Sequence, residues 1–190
     1  MIVIRSMVVL AAATLLPRLT NEARTPFADF EESIGRYMLI HRDAENEAGR
    51  PSPTRSAETL DRKRKALADA IRSRREAALP GDIFTPAVAG EFRRVIGLNL
   101  KHHPRRIAAS IRSGELVHVK IVVNGEYPNT IPLETMPATL LMAFPKLPGQ
   151  LEYRIAGTTL LLRDVTANLI VDLIPDAVPT STGALQTHGG

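Results

Sequence analysis

Apolar side chains recur at spacings of three and four in residues 27–43, "FADFEESIGRYMLIHRD". This spacing places one apolar stripe along a helix. Thr25 before Pro26 supplies a polar cap followed by proline at the first helical position, where a missing N–H costs nothing. A helix is therefore predicted from Pro26, and residues 44–56, which are polar and contain glycine and proline, are predicted to form a loop.

Three more helices are predicted in the first half of the chain. Residues 57–79 are strong helix formers without internal glycine or proline, and their thin apolar stripe is typical of a surface helix. Pro86 follows a threonine and begins a shorter helix that is expected to end near Gly97. Pro104 is expected to begin another helix, which ends at Gly114.

The hydrophobic period changes to two in residues 115–123, "ELVHVKIVV". Apolar residues occupy the odd positions and most polar ones the even positions, which predicts a half-buried strand. Asn124-Gly125 comes next and is typical of a type I′ hairpin turn. The return strand carries Pro128, which cannot donate to a ladder, so that strand is expected at an edge.

A second hairpin is predicted where "LEYRI" and "TTLLLR" flank Ala156-Gly157. With these two residues as the loop, Tyr153 faces Leu160 and Leu151 faces Leu162. All four side chains then lie on one face of the sheet.

The apolar positions change from even to odd numbers after this hairpin. Because a slip of one residue turns every side chain of a strand over, the register is expected to break near Arg163 and Asp164. A further strand is predicted from about Asn168 to Ile174. The small, polar residues 179–190 are predicted to be a disordered tail.

These elements predict an α+β fold, with N-terminal helices packed on a mostly antiparallel C-terminal sheet of about four to five strands. The length of 190 residues suits a single domain over residues 24–178, with a helical layer at 24–114 and a β-rich layer at 115–178. The chain has no cysteine, so packing alone must stabilise it.

The first 23 residues are predicted to be a signal peptide. Arg5 precedes an apolar run from Met7 to Leu16, and Ala23 is a candidate cleavage position. The alternative is that this run is a buried strand or helix of the fold. It is too short to span a membrane.

The C-terminal half resembles a group of uncharacterised exported bacterial proteins. The similarity covers roughly residues 81–179. It includes a leucine-rich sequence interrupted by prolines, followed by "LEYR", a glycine and "LRD..ANLIVD". It implies export to the periplasm or medium and brings no known activity, cofactor or catalytic residue.

Positive charge is concentrated between Arg62 and Arg112, where 13 basic residues face 4 acidic ones. Such a field attracts anions, so an anionic envelope component or an acidic protein surface is the expected partner. The alternative is a solvated helix face. Nucleic acid is disfavoured because this stretch contains only Phe84 and Phe92 as aromatic residues. The candidate binding residues are Arg72, Arg74, Arg75, Arg93, Arg94, Lys101, Arg105 and Arg106.

Candidate catalytic and metal-ligating residues are less clearly indicated by the sequence than the basic stretch. Glu152, Asp164 and Asp172 are candidates for acid–base work on the solvent face of the C-terminal strands, although exposed carboxylates there need no functional explanation. His102 and His103 are adjacent and so point in different directions, which disfavours a shared metal ion. No metal, cofactor or nucleophile motif is predicted.

An apolar segment, Leu140–Leu147, lies among four prolines and is richer in large side chains than two helical turns can bury on one side. It is expected to cover the open face of the sheet or to form a binding lip for an apolar partner.

The favoured function is an exported, non-enzymatic binding or scaffolding protein of the bacterial cell envelope. A hydrolase-type enzyme using the three carboxylates and an intracellular nucleic-acid-binding protein are the alternatives.

Overall fold

The computed structural model describes residues 25–49, 56–102, 120–128 and 136–179. The four helices in these ranges are α1 (Pro26–Ala48), α2 (Ala57–Arg74), α3 (Pro86–His102) and α4 (Ala138–Ala143). The three strands are β1 (Leu151–Ala156), β2 (Thr159–Asp164) and β3 (Leu169–Ile174).

The predicted start of α1 is confirmed. The Thr25 hydroxyl accepts a hydrogen bond from the Ala28 N–H at 3.3 Å, and Pro26 occupies the first turn. The predicted loop at residues 44–56 is wrong in its first part, because α1 continues to Ala48. Burial of Ala44 against the helical core extends the helix until Gly49 ends it at a φ of 82°.

The ends of α2 and α3 also differ from the prediction. Helix α2 stops at Arg74 rather than at residue 79: the Arg75 backbone leaves the helical conformation at a φ of −129°, and its side chain is buried. Helix α3 runs past Gly97 to His102. A mid-helix glycine costs only about 1 kcal/mol, and the buried Ile96 beside it offsets that cost.

Strands β1 and β2 form the predicted hairpin with a different loop. Ala156 pairs with Thr159, so the loop is Gly157-Thr158 and the register is shifted by two residues. Gly157 has a φ of 59°, and placing glycine first in the loop satisfies a type II′ turn. Because the shift is even, every side chain keeps its predicted face.

The predicted break in register lies between β2 and β3. Leu162 pairs with Asp172 and Arg163 pairs with Ile170, so Val171 is an extra residue on β3. Such a bulge moves the side chains beyond it to the other face of the sheet. The side chain of Asp172 therefore lies on the same face as that of Asp164.

The predicted hairpin at Asn124-Gly125 is wrong. Asn124 has a φ of 61°, but Gly125 is not in the left-handed region and no strand precedes the turn at residues 120–122. Instead, the Asn124 N–H donates to the Ile170 carbonyl, and the Ile170 N–H donates to the Gly125 carbonyl, both at 2.9 Å. This short segment covers the outer edge of β3.

The sheet separates a large helical core from a small second cluster. Phe92 is fully buried at the centre of the large core, 4.7 Å from Phe144 and 5.2 Å from both Phe30 and Phe84 between ring centroids. The second cluster lies on the opposite face and contains Tyr127, Ala156, Leu161 and Ile170.

The α+β class is confirmed: the helices pack on an antiparallel sheet of order β1-β2-β3. The predicted number of four to five strands is not confirmed, because the described residues form three strands and one isolated bridge, Glu126 to Leu169. None of the described helices is long and apolar enough to cross a membrane.

Several predictions lie outside the described residues. They are the signal peptide at 1–23, the helix from Pro104 to Gly114, most of the strand at 115–123 and nearly all of the tail at 179–190. The domain limits stay a prediction.

Replacing Phe92 with alanine is expected to lower the free energy of unfolding by about 3–5 kcal/mol, because the cavity would lie among five aromatic rings. Leu98→Ala in the same helix removes a half-exposed side chain and should cost less than about 1 kcal/mol. Urea unfolding of both variants provides the test. Similar losses would contradict the assignment of Phe92 to the core centre.

Candidate functional site

The sequence predicted Asp172 on the solvent face of the sheet. The structure instead buries its side chain completely under the connection between α2 and α3. Its carboxylate accepts hydrogen bonds from the backbone N–H groups of Gly81, Ile83 and Phe84 at 2.7–2.9 Å. The bulge on β3 creates this orientation. The side chain anchors the helical layer to the sheet and has no free face for a substrate.

Asp164 is the second fully buried carboxylate, and its predicted solvent exposure is also wrong. Its Oδ1 accepts from the N–H groups of Thr166 and Ala167, and its Oδ2 accepts from the Tyr37 hydroxyl at 2.7 Å. His41 Nε2 lies 3.3 Å from the same Oδ2. This cluster ties α1 to the turn after β2.

The phenol of Tyr37 is held in its protonated form. Burial raises its pKa, and both the charge of Asp164 and the hydrogen bond to it raise the pKa further, while the nearby Arg75 opposes them. Tyr37 therefore acts as a fixed donor to Asp164. Neither Tyr37 nor His41 was identified from the sequence as a partner of this carboxylate, because nothing local indicates a contact across 127 residues.

Glu152 projects from the opposite face of the sheet. Its Oε2 lies 2.6 Å from Arg154 Nη2 and its Oε1 lies 2.8 Å from Arg163 Nη1. Burial raises the pKa of Glu152, but the hydrogen bonds and charges of the two arginines outweigh this and hold the pKa below its ordinary value. The structure does not bring the three predicted carboxylates into one cleft.

Arg75 is predicted to bind a partner, but only 9% of its surface is exposed. Its guanidinium donates to Asn124 Oδ1 and the Val171 carbonyl, each at 3.1 Å, and lies over the Tyr37 ring. The Asn124 side chain donates back to the Arg75 carbonyl at 2.7 Å. Burial lowers the pKa of Arg75, and the charges of Asp172 and Asp82 oppose this. Arg75 is thus a structural link between α2 and β3.

Most other candidate arginines contact the protein itself. Arg72 pairs with Asp69 and donates to the Asn124 carbonyl, Arg74 pairs with Glu47, Arg93 donates to the Pro175 carbonyl, and Arg94 pairs with Glu91. Lys101 is exposed at the end of α3. Arg105 and Arg106 lie outside the described residues.

A basic cleft lies between α1 and the turn after α2. Its volume is about 360 Å³, and its charged lining consists of Arg36, Arg74, Arg75 and Asp82. Three positive charges and one negative charge line this concave surface, and two of the arginines, Arg36 and Arg74, are also paired with Glu32 and Glu47. Arg36 was not among the candidate residues because it lies on the mainly acidic α1.

An apolar groove lies between α4 and β1. Its volume is about 480 Å³; its apolar lining includes Met136, Leu141 and Leu147, and the charged Lys146, Glu152 and Arg154 also line it. Leu140 and Phe144 of the predicted apolar segment are buried in the core, whereas Leu141 and Met142 are 46% and 87% exposed. The segment therefore covers the helical core and also presents an apolar surface.

Metal ligands do not converge within the described ranges, where no group of three His, Asp or Glu side chains could hold an ion. His102 is exposed at the end of α3, and His103 and His118 fall outside those ranges.

Replacing Asp172 with asparagine is expected to destabilise the protein by about 3 kcal/mol. The amide NH₂ would face backbone N–H groups that now donate to a carboxylate oxygen, which leaves buried donors unsatisfied. Asp176→Asn, at an exposed turn, is the control and should stay within about 0.5 kcal/mol of the parent. Chemical denaturation measures both, and equal stabilities would refute the anchoring role of Asp172.

Glu152→Gln is expected to lower stability at neutral pH by about 1 kcal/mol. Because the folded-state pKa of Glu152 lies below the ordinary value of 4.5, its stabilising effect is complete above that pH and is lost as the pH falls through the folded-state pKa. The difference between parent and variant should therefore disappear in acid. Thermal melts from neutral pH to acid test this, with the exposed Glu58→Gln as control; a constant difference would contradict the ion-pair assignment.

Comparison with known proteins identifies no relative: no family model, curated protein or solved structure matches this chain.

Proposed function

We propose that this protein is an exported, non-enzymatic binding protein of the bacterial cell envelope, and that the basic cleft receives an anionic group of an envelope component. The observation that carries the proposal is the convergence of Arg36, Arg74 and Arg75 in one concave surface. Guanidinium groups suit phosphate and carboxylate because their donors match two oxygens at once.

The three arginines of the cleft differ in how tightly their side chains are held and in how exposed they are. Arg75 is fixed by its bonds to Asn124 and Val171 and is part of the cleft lining. The side chains of Arg36 and Arg74 are 60% and 31% exposed. Each pairs with a surface carboxylate, and such pairs contribute little to stability, so an incoming anion can replace them at low cost.

The carboxylates give the enzyme alternative no comparable support. Asp164 and Asp172 are buried and saturated with donors, and Glu152 is neutralised by two arginines on the other face of the sheet. A general acid or base needs an accessible proton site near its substrate.

The nucleic-acid alternative is also disfavoured, since Phe84 and Phe92 are both buried and cannot stack on bases.

The proposed export rests on the signal peptide predicted at residues 1–23. N-terminal sequencing of the protein purified from its native host should find a mature chain that begins near residue 24. An intact Met1 in a cytosolic fraction would reject export and favour the intracellular alternative.

The cleft is tested with vesicles that contain phosphatidylglycerol. Arg36→Gln combined with Arg74→Gln should weaken binding about 30-fold at low salt, since each basic residue near an anionic surface contributes about 1 kcal/mol. Binding by the parent should fall as salt is raised, because the attraction is screened. Co-sedimentation of the full chain with the vesicles measures the change.

The matched control is Arg62→Gln combined with Arg94→Gln, which removes the same charge from exposed positions outside the cleft. Binding close to that of the parent is expected. Equal weakening by both pairs would show that net charge acts without the cleft, and no binding by the parent would reject this class of partner.

A further inference from the structure

Among the strands that the structure describes, β1 forms one edge of the sheet, and its outward backbone groups can be assigned from the ladder. The Val165 N–H donates to the Gln150 carbonyl, and the hairpin closes at Ala156 and Thr159. Hydrogen-bonded residues alternate along an antiparallel strand. The groups that bond to β2 thus belong to even-numbered residues, and those of Leu151, Tyr153 and Ile155 point outward.

These outward groups form a template for another strand. The Leu151 N–H donates to the Pro148 carbonyl, but the N–H and C=O groups of Tyr153 and Ile155 make no hydrogen bond to any described part of the chain. Unpaired edge groups of this kind pair readily with a strand of another chain. The other edge of the sheet differs, because the segment around Asn124 covers β3.

The sequence of β1 is complementary to itself when read in reverse. Residues 151–155 are Leu, Glu, Tyr, Arg and Ile. If two copies pair antiparallel with Tyr153 opposite Tyr153, each Glu152 faces an Arg154 and each Leu151 faces an Ile155. Opposite charges and apolar pairs placed directly across a ladder stabilise it by about 0.2–1 kcal/mol each.

The backbone favours the same register. Tyr153 directs both its N–H and its C=O outward, so a pair of Tyr153 residues exchanges two hydrogen bonds across a twofold axis. Each Ile155 N–H can also donate to the Leu151 carbonyl of the other copy. A slip of one residue would place odd-numbered residues opposite even-numbered ones, whose N–H and C=O groups already bond to β2, so the two strands could not form a ladder.

We propose that two copies of this chain associate through β1 and join their sheets into one antiparallel sheet of six strands. The four charged side chains then alternate in sign around the twofold axis, which is the self-complementarity that a symmetric dimer requires. Leu141 is 46% exposed and lines the groove that borders this edge, next to Leu151 and Tyr153 of β1. This association does not depend on the basic cleft.

Ile155→Pro tests the edge directly. Proline removes the outward N–H of residue 155 and leaves the ladder to β2 intact, a position that proline tolerates on an edge strand. Ile155→Ala is the control, since it shortens the same side chain and keeps the N–H. Sedimentation at protein concentrations up to about 1 mM, the range of weak association, should find dimers for the parent and for Ile155→Ala, and monomers for Ile155→Pro.

The register is tested by cross-linking, which is simple because the chain has no cysteine. Positions 152 and 154 of two copies would lie opposite each other, with Cα atoms about 4.5 Å apart, within the range for a disulfide. Two copies of position 152 would lie about 7–8 Å apart, which is too far. A mixture of Glu152→Cys and Arg154→Cys chains should therefore oxidise to mixed dimers, and neither chain alone should.

The outcomes are distinct. A parent chain that stays monomeric overturns the proposal, as does a folded Ile155→Pro variant that still dimerises. Dimers whose disulfides form equally within the Glu152→Cys chain alone would reject this register. Binding of Ile155→Pro to anionic vesicles reports on the basic cleft separately, so failure of one proposal is not failure of the other.

Discussion

The buried carboxylate of Asp172 connects the two layers of the protein. Its oxygens receive backbone N–H groups from the α2–α3 connection, so the start of α3 and the aromatic residues it carries are held against the sheet. A buried charge is tolerated only when hydrogen bonds replace its water, and here three N–H groups of one loop do so. Asp164 serves α1 in the same way through Tyr37. Two carboxylates aimed into the core thus add polar links to the apolar contact between helices and sheet.

The arginines illustrate how a basic stretch of sequence can become internal structure. Arg75 ends α2 by turning inward, where it contacts Tyr37, Asn124 and β3. Arg72 and Arg74 pair with acidic residues at the surface. Three arginines, Arg36, Arg74 and Arg75, line the concavity between α1 and the turn after α2, whereas Arg62 to Lys65 lie along α2 outside it.

The two faces of the sheet have different chemistry, and the extra residue on β3 adds Asp172 to the helical face. The helical face is apolar and carries the two saturated aspartates, whereas the other face carries Glu152 between two arginines and a small cluster around Tyr127. Arg163 also lies over the Tyr127 ring, 4.5 Å from its centroid. Strand β1 borders both environments, since Leu151 and Tyr153 belong to the helical core while Glu152 and Arg154 lie on the other face.

Local patterns determined most of the elements. Thr25-Pro26 and Pro86 mark helix starts, and period-two alternation marks β1 and β2. The change in the parity of apolar positions near Arg163 correctly indicates a break in register. Each of these patterns depends on residues close in sequence.

Tertiary structure decided what the sequence could not. The position of the bulge at Val171 turned Asp172 inward, packing drew Arg75 into the core and extended α1 to Ala48, and Asn124 capped β3 instead of closing a hairpin. These outcomes depend on partners tens of residues away, and a one-residue change in register reverses which side chains reach solvent.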